Sequence, residues 1–364
     1  MKNVKLMAKL IGGFSIVAMI TLIIGFVGWT SINNLDKNLF EISEVRLPSI
    51  KYLLIMSWQM EEMNAVERTL LDPNLEMSTR KELYKQFKNV QKRFKTAWEA
   101  YEPLPQTQEE ARLWKEFVVA WQEVQKEQEA FFDLSEELDK TDILNPMALN
   151  AEIEGFRVGH YQLMVKTLQM IAAGKTLAGE DNPTRCPFGK WLAGFKTNNA
   201  KLSASLKEIV EHHNEFHGDF GKIRELVNQG DKDGALDVFD KEMAPAAQNV
   251  FSHFQEMLKD AGKAEDIYNS MTHHLMGKAL EKHATADNLL EDIISVNEGE
   301  VAKSKKQAHS GSDNARMTAI LGMIVGFVAA LALGIYLSVS ITRPIQKGTA
   351  FAGKMAEGDF RETI

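Results

Sequence analysis

The stretch LIGGFSIVAMITLIIGFVGW, residues 10–29, contains no charged side chain. Wound as a helix at about 1.5 Å per residue, it is long enough to cross a hydrocarbon core of about 30 Å. A second run, MTAILGMIVGFVAALALGIYLSVSI at residues 317–341, has the same character. The basic start before the first run (Lys2, Lys5 and Lys9) also suits a cleaved signal peptide. Against that, the run is too long and no small-x-small cleavage site follows, with Trp29 near its end. The chain is therefore read as all-α and two-spanning, with transmembrane helices at 10–30 and 317–341.

Orientation follows from flanking basic residues. Lys2, Lys5 and Lys9 precede the first span, whereas only Lys37 and Arg46 follow it, at some distance. Residues 1–9 are thus expected in the cytoplasm and the segment between the spans outside it. The second span has basic residues on both sides and gives no orientation of its own. The whole chain of 364 residues carries a net charge of −8. Setting aside the two cytoplasmic ends leaves 35 Lys and Arg against 47 Asp and Glu, a net −12 between and within the spans. That balance argues against nucleic acid as a partner, since phosphate binding wants a basic face.

Between the spans, apolar residues recur at three- and four-residue intervals, as in Leu47, Ile50 and Leu54 and, after a gap of six, Met60, Met63, Val66 and Leu70. No alternating strand pattern bounded by hairpin turns is present. Breaks are expected at Asp72-Pro73-Asn74, Pro103-Leu104-Pro105, Asn145-Pro146, Gly179–Pro183 and Gly230–Gly234, with a weaker one at Ala261-Gly262. They predict a helix continuing from the first span to about Leu71, then helices over 76–101 and 106–139. A final helix over 263–316 enters the second span. Those four form an outer antiparallel bundle. A separate block, 145–260, with helices over 147–173 and 200–229, is read as a second small helical bundle inserted into the first.

That block holds the only cysteine, in Arg185-Cys186-Pro187-Phe188-Gly189-Lys190-Trp191. One cysteine excludes an intrachain disulfide. Pro187 favours the first helical position, which puts Cys186 at an N-cap, where the helix end favours a thiolate. Phe188 and Trp191 are expected to anchor this short helix. His213-Asn214-Glu215-Phe216-His217 places two imidazoles on one helix face. One imidazole from an earlier helix and the thiolate complete an N₃S set, the ligand type and count of a closed zinc site. His212 points about 100° away from His213 and is read as solvated or supporting. His253, His273, His274, His283 and His309 form no comparable set; His273 and His274 with His283 are read as solvated residues in preference to an adventitious surface metal site, because adjacent histidines diverge on a helix.

The spaced combination resembles the chemoreceptor zinc-binding (CZB) domain. Its pattern is a histidine followed two residues on by a large apolar residue, then Cys-x-apolar-Gly-x-aromatic/apolar, then His-x-x-x-His. Cys186, Phe188, Gly189, Trp191, His213 and His217 match; Gln162 departs, standing where the large apolar residue follows His160. The resemblance implies His160, Cys186, His213 and His217 as ligands of one Zn²⁺.

Ser340-Ile341-Thr342-Arg343-Pro344-Ile345, followed by Met355-Ala356-Glu357-Gly358-Asp359-Phe360, resembles the start of a HAMP linker. The whole layout resembles the sensor half of a methyl-accepting chemotaxis receptor in the inner membrane. It implies 31–144 as the first three helices of the outer bundle, 145–260 as the zinc-binding bundle, 261–316 as the last helix and 342–364 as the HAMP start. It implies a homodimer, contact with membrane lipid, and a coupling protein and kinase as cytoplasmic partners reached through an output domain beyond residue 364. The CZB domain of such receptors usually lies in the cytoplasm; here it falls between the spans. The input half of a sensor kinase or diguanylate cyclase fits the same features, as does a structural zinc with another ligand sensed by the outer bundle. No phosphate-binding glycine loop or Ser/His/Asp pattern points to an enzyme.

Overall fold

The computed structural model describes residues 6–177 and 181–358. Lys2 and Lys5, Gly179, and the Asp359-Phe360 end of the HAMP-like string lie outside the described residues. Among the described residues every regular element is helical. Helix α1 covers Leu6–Phe40, α2 Leu47–Leu70, α3 Met77–Tyr101, α4 Gln108–Thr141 and α5 Pro146–Ala173. Short α6 (Pro187–Gly194), long α7 (Ala200–Asn228), short α8 (Lys232–Val238), α9 (Ala244–His274) and α10 (Leu280–Ala356) follow. Three π-helical turns, Glu41–Arg46, Phe239–Met243 and Leu275–Ala279, join helices without interrupting the rod. The chain divides into two compact units: Met1–Leu54, Ala100–Glu110 and Ile293–Ile364 in one, and Ile55–Glu99 and Ala111–Asp292 in the other.

In the first unit α1 and α10 are long and apolar enough to cross a membrane. Their most apolar windows are only 6% and 0% buried, so the apolar side chains face outward rather than into a core. Glycines let the two runs approach. A β-carbon at Gly322 would lie 2.6 Å from Ile24, one at Gly326 3.5 Å from Ile20, and one at Gly13 3.5 Å from Leu337. The pairing 13 with 337, 20 with 326 and 24 with 322 is antiparallel. Beyond the runs, Arg46 reaches Glu110 at 2.6 Å and Asn297 at 3.0 Å, while Glu110 accepts from Tyr101 at 2.8 Å and from Asn297 at 2.8 Å. All four residues are buried.

The second unit holds most of α2 to α4, all of α5 to α9 and the start of α10; the block 145–260, expected from the sequence to be a separate inserted bundle, is not divided from the neighbouring helices there. Ser57 of α2 donates to Asp287 of α10 at 3.1 Å, Arg93 of α3 to Glu62 of α2 at 2.6 Å, and Phe94 of α3 stacks on Trp121 of α4 at 4.2 Å. The core stripe of α2, Met56, Met60, Met63, Val66 and Leu70, keeps the three–four spacing of the sequence. In the inserted bundle α5, α7 and α9 pack on one another around Leu163, Met170, Phe216, Phe220, Phe239 and Met243.

Proline, glycine and asparagine set the predicted breaks. Asn145 caps α5, its side chain accepting from Ala148 N–H, with Pro146 at the first helical position. Gly230 takes φ +79° to end α7. The expected weak break at Ala261-Gly262 does not occur. Ala261 and Ala264 are fully buried in the packing face, and one glycine costs a helix only about 1 kcal/mol. The regular hydrogen bonding shifts instead at Leu275–Ala279, as a π turn. Helix α10 also runs on through Pro344 to Ala356.

Of the histidines expected in solvent, His283 is buried and His274 is partly buried. His283 is buried beside Glu67, and His274 donates from Nε2 to the Glu127 carbonyl at 2.9 Å. Both sit on the packing face, which residue type alone does not reveal.

Candidate metal centre

Three separate elements of the inserted bundle supply the four sequence-predicted ligands. His160 projects from α5, Cys186 caps α6, and His213 and His217 lie one turn apart on α7. One donor atom from each lies within 4.8 Å of every other. His213 Nε2 is 3.1 Å from Cys186 Sγ. The three imidazoles surround one point, with ring centroids 5.1 Å (His160–His213), 5.7 Å (His160–His217) and 4.7 Å (His213–His217) apart.

Local sequence explains each placement. Asn199 starts α7 by accepting from the Lys201 and Leu202 N–H groups, which sets the helix on which positions 213 and 217 share a face. Cys186 is the N-cap of α6 and Pro187 its first residue. The Gly189 N–H donates to Cys186 Sγ at 3.2 Å, so the sulfur sits where the helix end stabilises negative charge. Gly189 itself is required by close approach: a β-carbon there would fall on the carbonyl oxygen of Pro183. Phe188 is fully buried against His213 and Phe254. Trp191 is only half-buried; it stacks on Phe195 at 4.1 Å and donates to Glu152 at 2.6 Å.

The protonation chemistry suits metal binding. His160 Nδ1–H donates to the Phe156 carbonyl at 2.7 Å, which leaves Nε2 as the lone-pair atom. That Nε2 is buried and has no hydrogen-bond partner, as a ligand atom awaiting an ion would be. Burial, with the nearby His217 charge, holds His160 down from 6.5 to about 4. Burial, then His217 and His160, hold His213 down to about 3. Both are neutral donors at physiological pH. Three imidazoles and a thiol-bearing helix cap fit a tetrahedral zinc-type ion, and the full set leaves no open position for a substrate.

His212 stands outside the set. It pairs with Glu215 at 3.1 Å and its ring faces His253 at 6.1 Å. Gln162, the departure from the expected pattern, is exposed, and the buried apolar contact comes one residue later from Leu163. Sequence reasoning missed Phe156 and Phe254, which close the apolar side of the site. Their signal was available, because each lies on the inward stripe of its helix, Phe156 four residues before His160 and Phe254 four after Val250.

Comparison with known families gives two matches. Residues 3–169 match a four helix bundle sensory module for signal transduction, and residues 160–223 match the chemoreceptor zinc-binding domain. The second contains all four clustered donors. No curated protein and no solved structure matches the chain. The two matched families are signalling modules rather than enzymes, and with the His/Cys cluster they support a chemoreceptor-type zinc-binding sensor.

Proposed function

We propose that this chain is the sensor half of a bacterial transmembrane chemoreceptor, with Zn²⁺ held by His160, Cys186, His213 and His217. The observation that carries the reading is the convergence of those four donors within 4.8 Å from three separate elements, inside a segment similar to a zinc-binding chemoreceptor domain. The apolar runs of α1 and α10 act as inner-membrane spans, residues 31–316 face the periplasm, and 342–364 begin a HAMP linker. The receptor works as a homodimer and signals to a coupling protein and kinase. Helix α9 carries inserted-bundle contacts and passes through the π turn into α10, so a change of packing in the bundle bears on the helix that enters the membrane.

The cue is zinc availability or an oxidant such as hypochlorous acid. Bound zinc would hold the Cys186 sulfur as thiolate and tie α5, α6 and α7 together. Cys186 as a whole residue is partly exposed, whereas within the donor cluster it counts as buried with the three histidines, so the reading requires a small oxidant to reach the sulfur from the exposed side of the α6 N-cap. Thiolate plus hypochlorous acid gives sulfenic acid plus chloride, and the oxidised sulfur is a poorer donor. A second reading, zinc as a structural staple, is favoured by the full burial of Phe188 against the site.

Elemental analysis of the full chain in detergent after dialysis tests the site, with about one zinc expected at the His₃Cys set. Zinc undiminished in a Cys186→Ala/His217→Ala chain would remove the assignment. Zinc release and sulfenic acid at Cys186 under stoichiometric oxidant, followed with a chromogenic chelator and mass spectrometry, separate sensing from stapling.

A further inference from the structure

The outer bundle contains a group of polar atoms that the proposed zinc site does not use. Glu67 of α2, Gln128 of α4 and His283 of α10 are 0%, 3% and 6% exposed. Each takes a core position of its helix. Glu67 stands between Met63 and Leu70, Gln128 between Val124 and Phe131, and His283 between Ala279 and Ala286, all of them buried. Both Glu67 carboxylate oxygens, Gln128 Oε1 and His283 Nε2 are buried without a hydrogen-bond partner. Folded proteins leave few such atoms unpaired, and a buried carboxylate that accepts no hydrogen bond is costly to fold.

The chemistry of the orphans indicates what is missing. All four atoms can offer a lone pair, so the layer needs a cation or a donor. His283 Nε2 and Glu67 Oε2 are 3.6 Å apart. That is too long for a hydrogen bond. It is close to the ligand–ligand edge of a four-coordinate shell, about 3.4 Å for N and O atoms about 2.1 Å from a divalent ion. The Gln128 amide N–H faces Met63 Sδ at 3.9 Å, one helical turn before Glu67, which leaves its carbonyl oxygen unused. Imidazole, carboxylate and amide carbonyl suit zinc, cobalt, nickel or manganese.

Its position adds a second reason. The π turn Leu275–Ala279 ends four residues before His283, and π turns inside long helices often mark functional sites. On the other side of the turn, His274 Nε2 approaches Glu127 Oε2 at 3.0 Å. The helix that leaves the inserted bundle thus enters the outer bundle through two histidine–carboxylate contacts.

We propose that Glu67, Gln128 and His283 form a second divalent-cation site, built from N and O ligands, in the core of the outer bundle. An ion there clamps α2, α4 and α10 beside the π turn, and three protein ligands leave one position of a four-coordinate ion for water. This site is independent of the cysteine site.

Cobalt(II) titration of the full chain in detergent tests it. Wild type is expected to bind two equivalents. A Cys186→Ala/His217→Ala chain is expected to bind one, with visible d–d bands and no thiolate-to-cobalt charge transfer. Adding Glu67→Gln or His283→Gln should abolish that equivalent. Far-UV circular dichroism and metal-free melting identify any variant that does not fold, and the other substitution then gives the result. If the folded Cys186→Ala/His217→Ala chain binds no cobalt, or binds it equally with both further substitutions, the proposal is wrong and the layer holds only protons or water. Wild type would then still show one equivalent with charge transfer. Loss of the charge-transfer band alone would instead count against the cysteine site.

Discussion

Gly189 decides whether Cys186 can face the three histidines. A β-carbon at 189 would collide with the Pro183 carbonyl oxygen and lie 3.0 Å from Thr184 Cα, both of them backbone atoms that cannot swing aside. Gly189→Ala must therefore open the turn that carries the sulfur. Zinc affinity is expected to fall by about 10–100-fold, the usual effect of disturbing the groups that orient a ligand. Competition with a chromogenic chelator measures it, and an unchanged affinity refutes the role. The buried imidazoles also set a pH dependence for the metal-free chain. Unfolded histidines take up protons near pH 6.5, whereas folded His160 and His213 stay neutral until about 4 and 3. Below pH 6.5 the unfolded state therefore binds more protons. Stability is full above that pH and falls as pH drops towards 4 and then 3, by at most about 1.4 kcal/mol per pH unit for each histidine. Melting of the chelated protein between pH 7 and 5 should show the decline, and His160→Gln should flatten it. A pH-independent melting temperature would contradict the burial assigned to these rings.

At the level of elements, sequence legibility tracks how local the determinant is. Asn145-Pro146, Cys186-Pro187 and Gly230 act on their own backbone, so the ends of α5 and α7 and the start of α6 could be placed within a residue or two. Cys186, His213 and His217 were legible because histidine spacing on α7 and the N-cap cysteine are also local; His160 was singled out only by the resemblance to the zinc-binding domain, since its approach from α5 is a tertiary contact. Which charged residues are buried was not legible by residue type. Arg46, Glu110, Asn297, Glu67 and His283 look like surface residues until each is placed on its helix's apolar stripe, as His283 is between Ala279 and Ala286. The network around Arg46 and Glu110 makes a strong test of that point. Arg46 and Glu110 are an ion pair with side chains 4% and 0% exposed. Arg46 also meets Glu41 at 2.7 Å, a carboxylate 36% exposed, so Glu110→Ala removes the buried counter-charge and leaves the solvent-facing one; the folded chain should lose about 3 kcal/mol, the low end of the cost of breaking a buried pair. Replacing both, as Arg46→Met/Glu110→Leu, should cost much less, because the desolvation of both ions is relieved together. Denaturant melts in detergent compare the two. Equal loss in the single and double variants would mean that packing around Arg46, not its charge, sets the stability.

For the whole molecule, the exposed apolar side chains of α2 argue for a partner. Leu47, Leu54 and Trp58 are 52%, 53% and 72% exposed and follow one another at seven and four residues, so they share one face of the helix. That face points away from the inward stripe of Met56, Met60 and Met63, and a helix that is apolar on both sides needs a second surface to cover it. Closed two-fold pairing is the commonest way a chain covers such a stripe, since each copy offers the same surface to the other. The proposed homodimer would place α2 against α2 of the partner along this face. The chain has one native cysteine, so a Cys186→Ser background gives a clean test. Single cysteines at Leu54 and Trp58 should form an intermolecular disulfide in membranes under mild oxidation. A cysteine at Met60, which is buried within its own protomer, should not. Trp58→Glu should weaken the pairing by placing like charges across the two-fold axis. Crosslinking that is equally efficient at all three positions would reflect collision rather than an interface. A strict monomer in membranes at native expression would leave the stripe without this explanation and remove the dimer from the proposed mechanism.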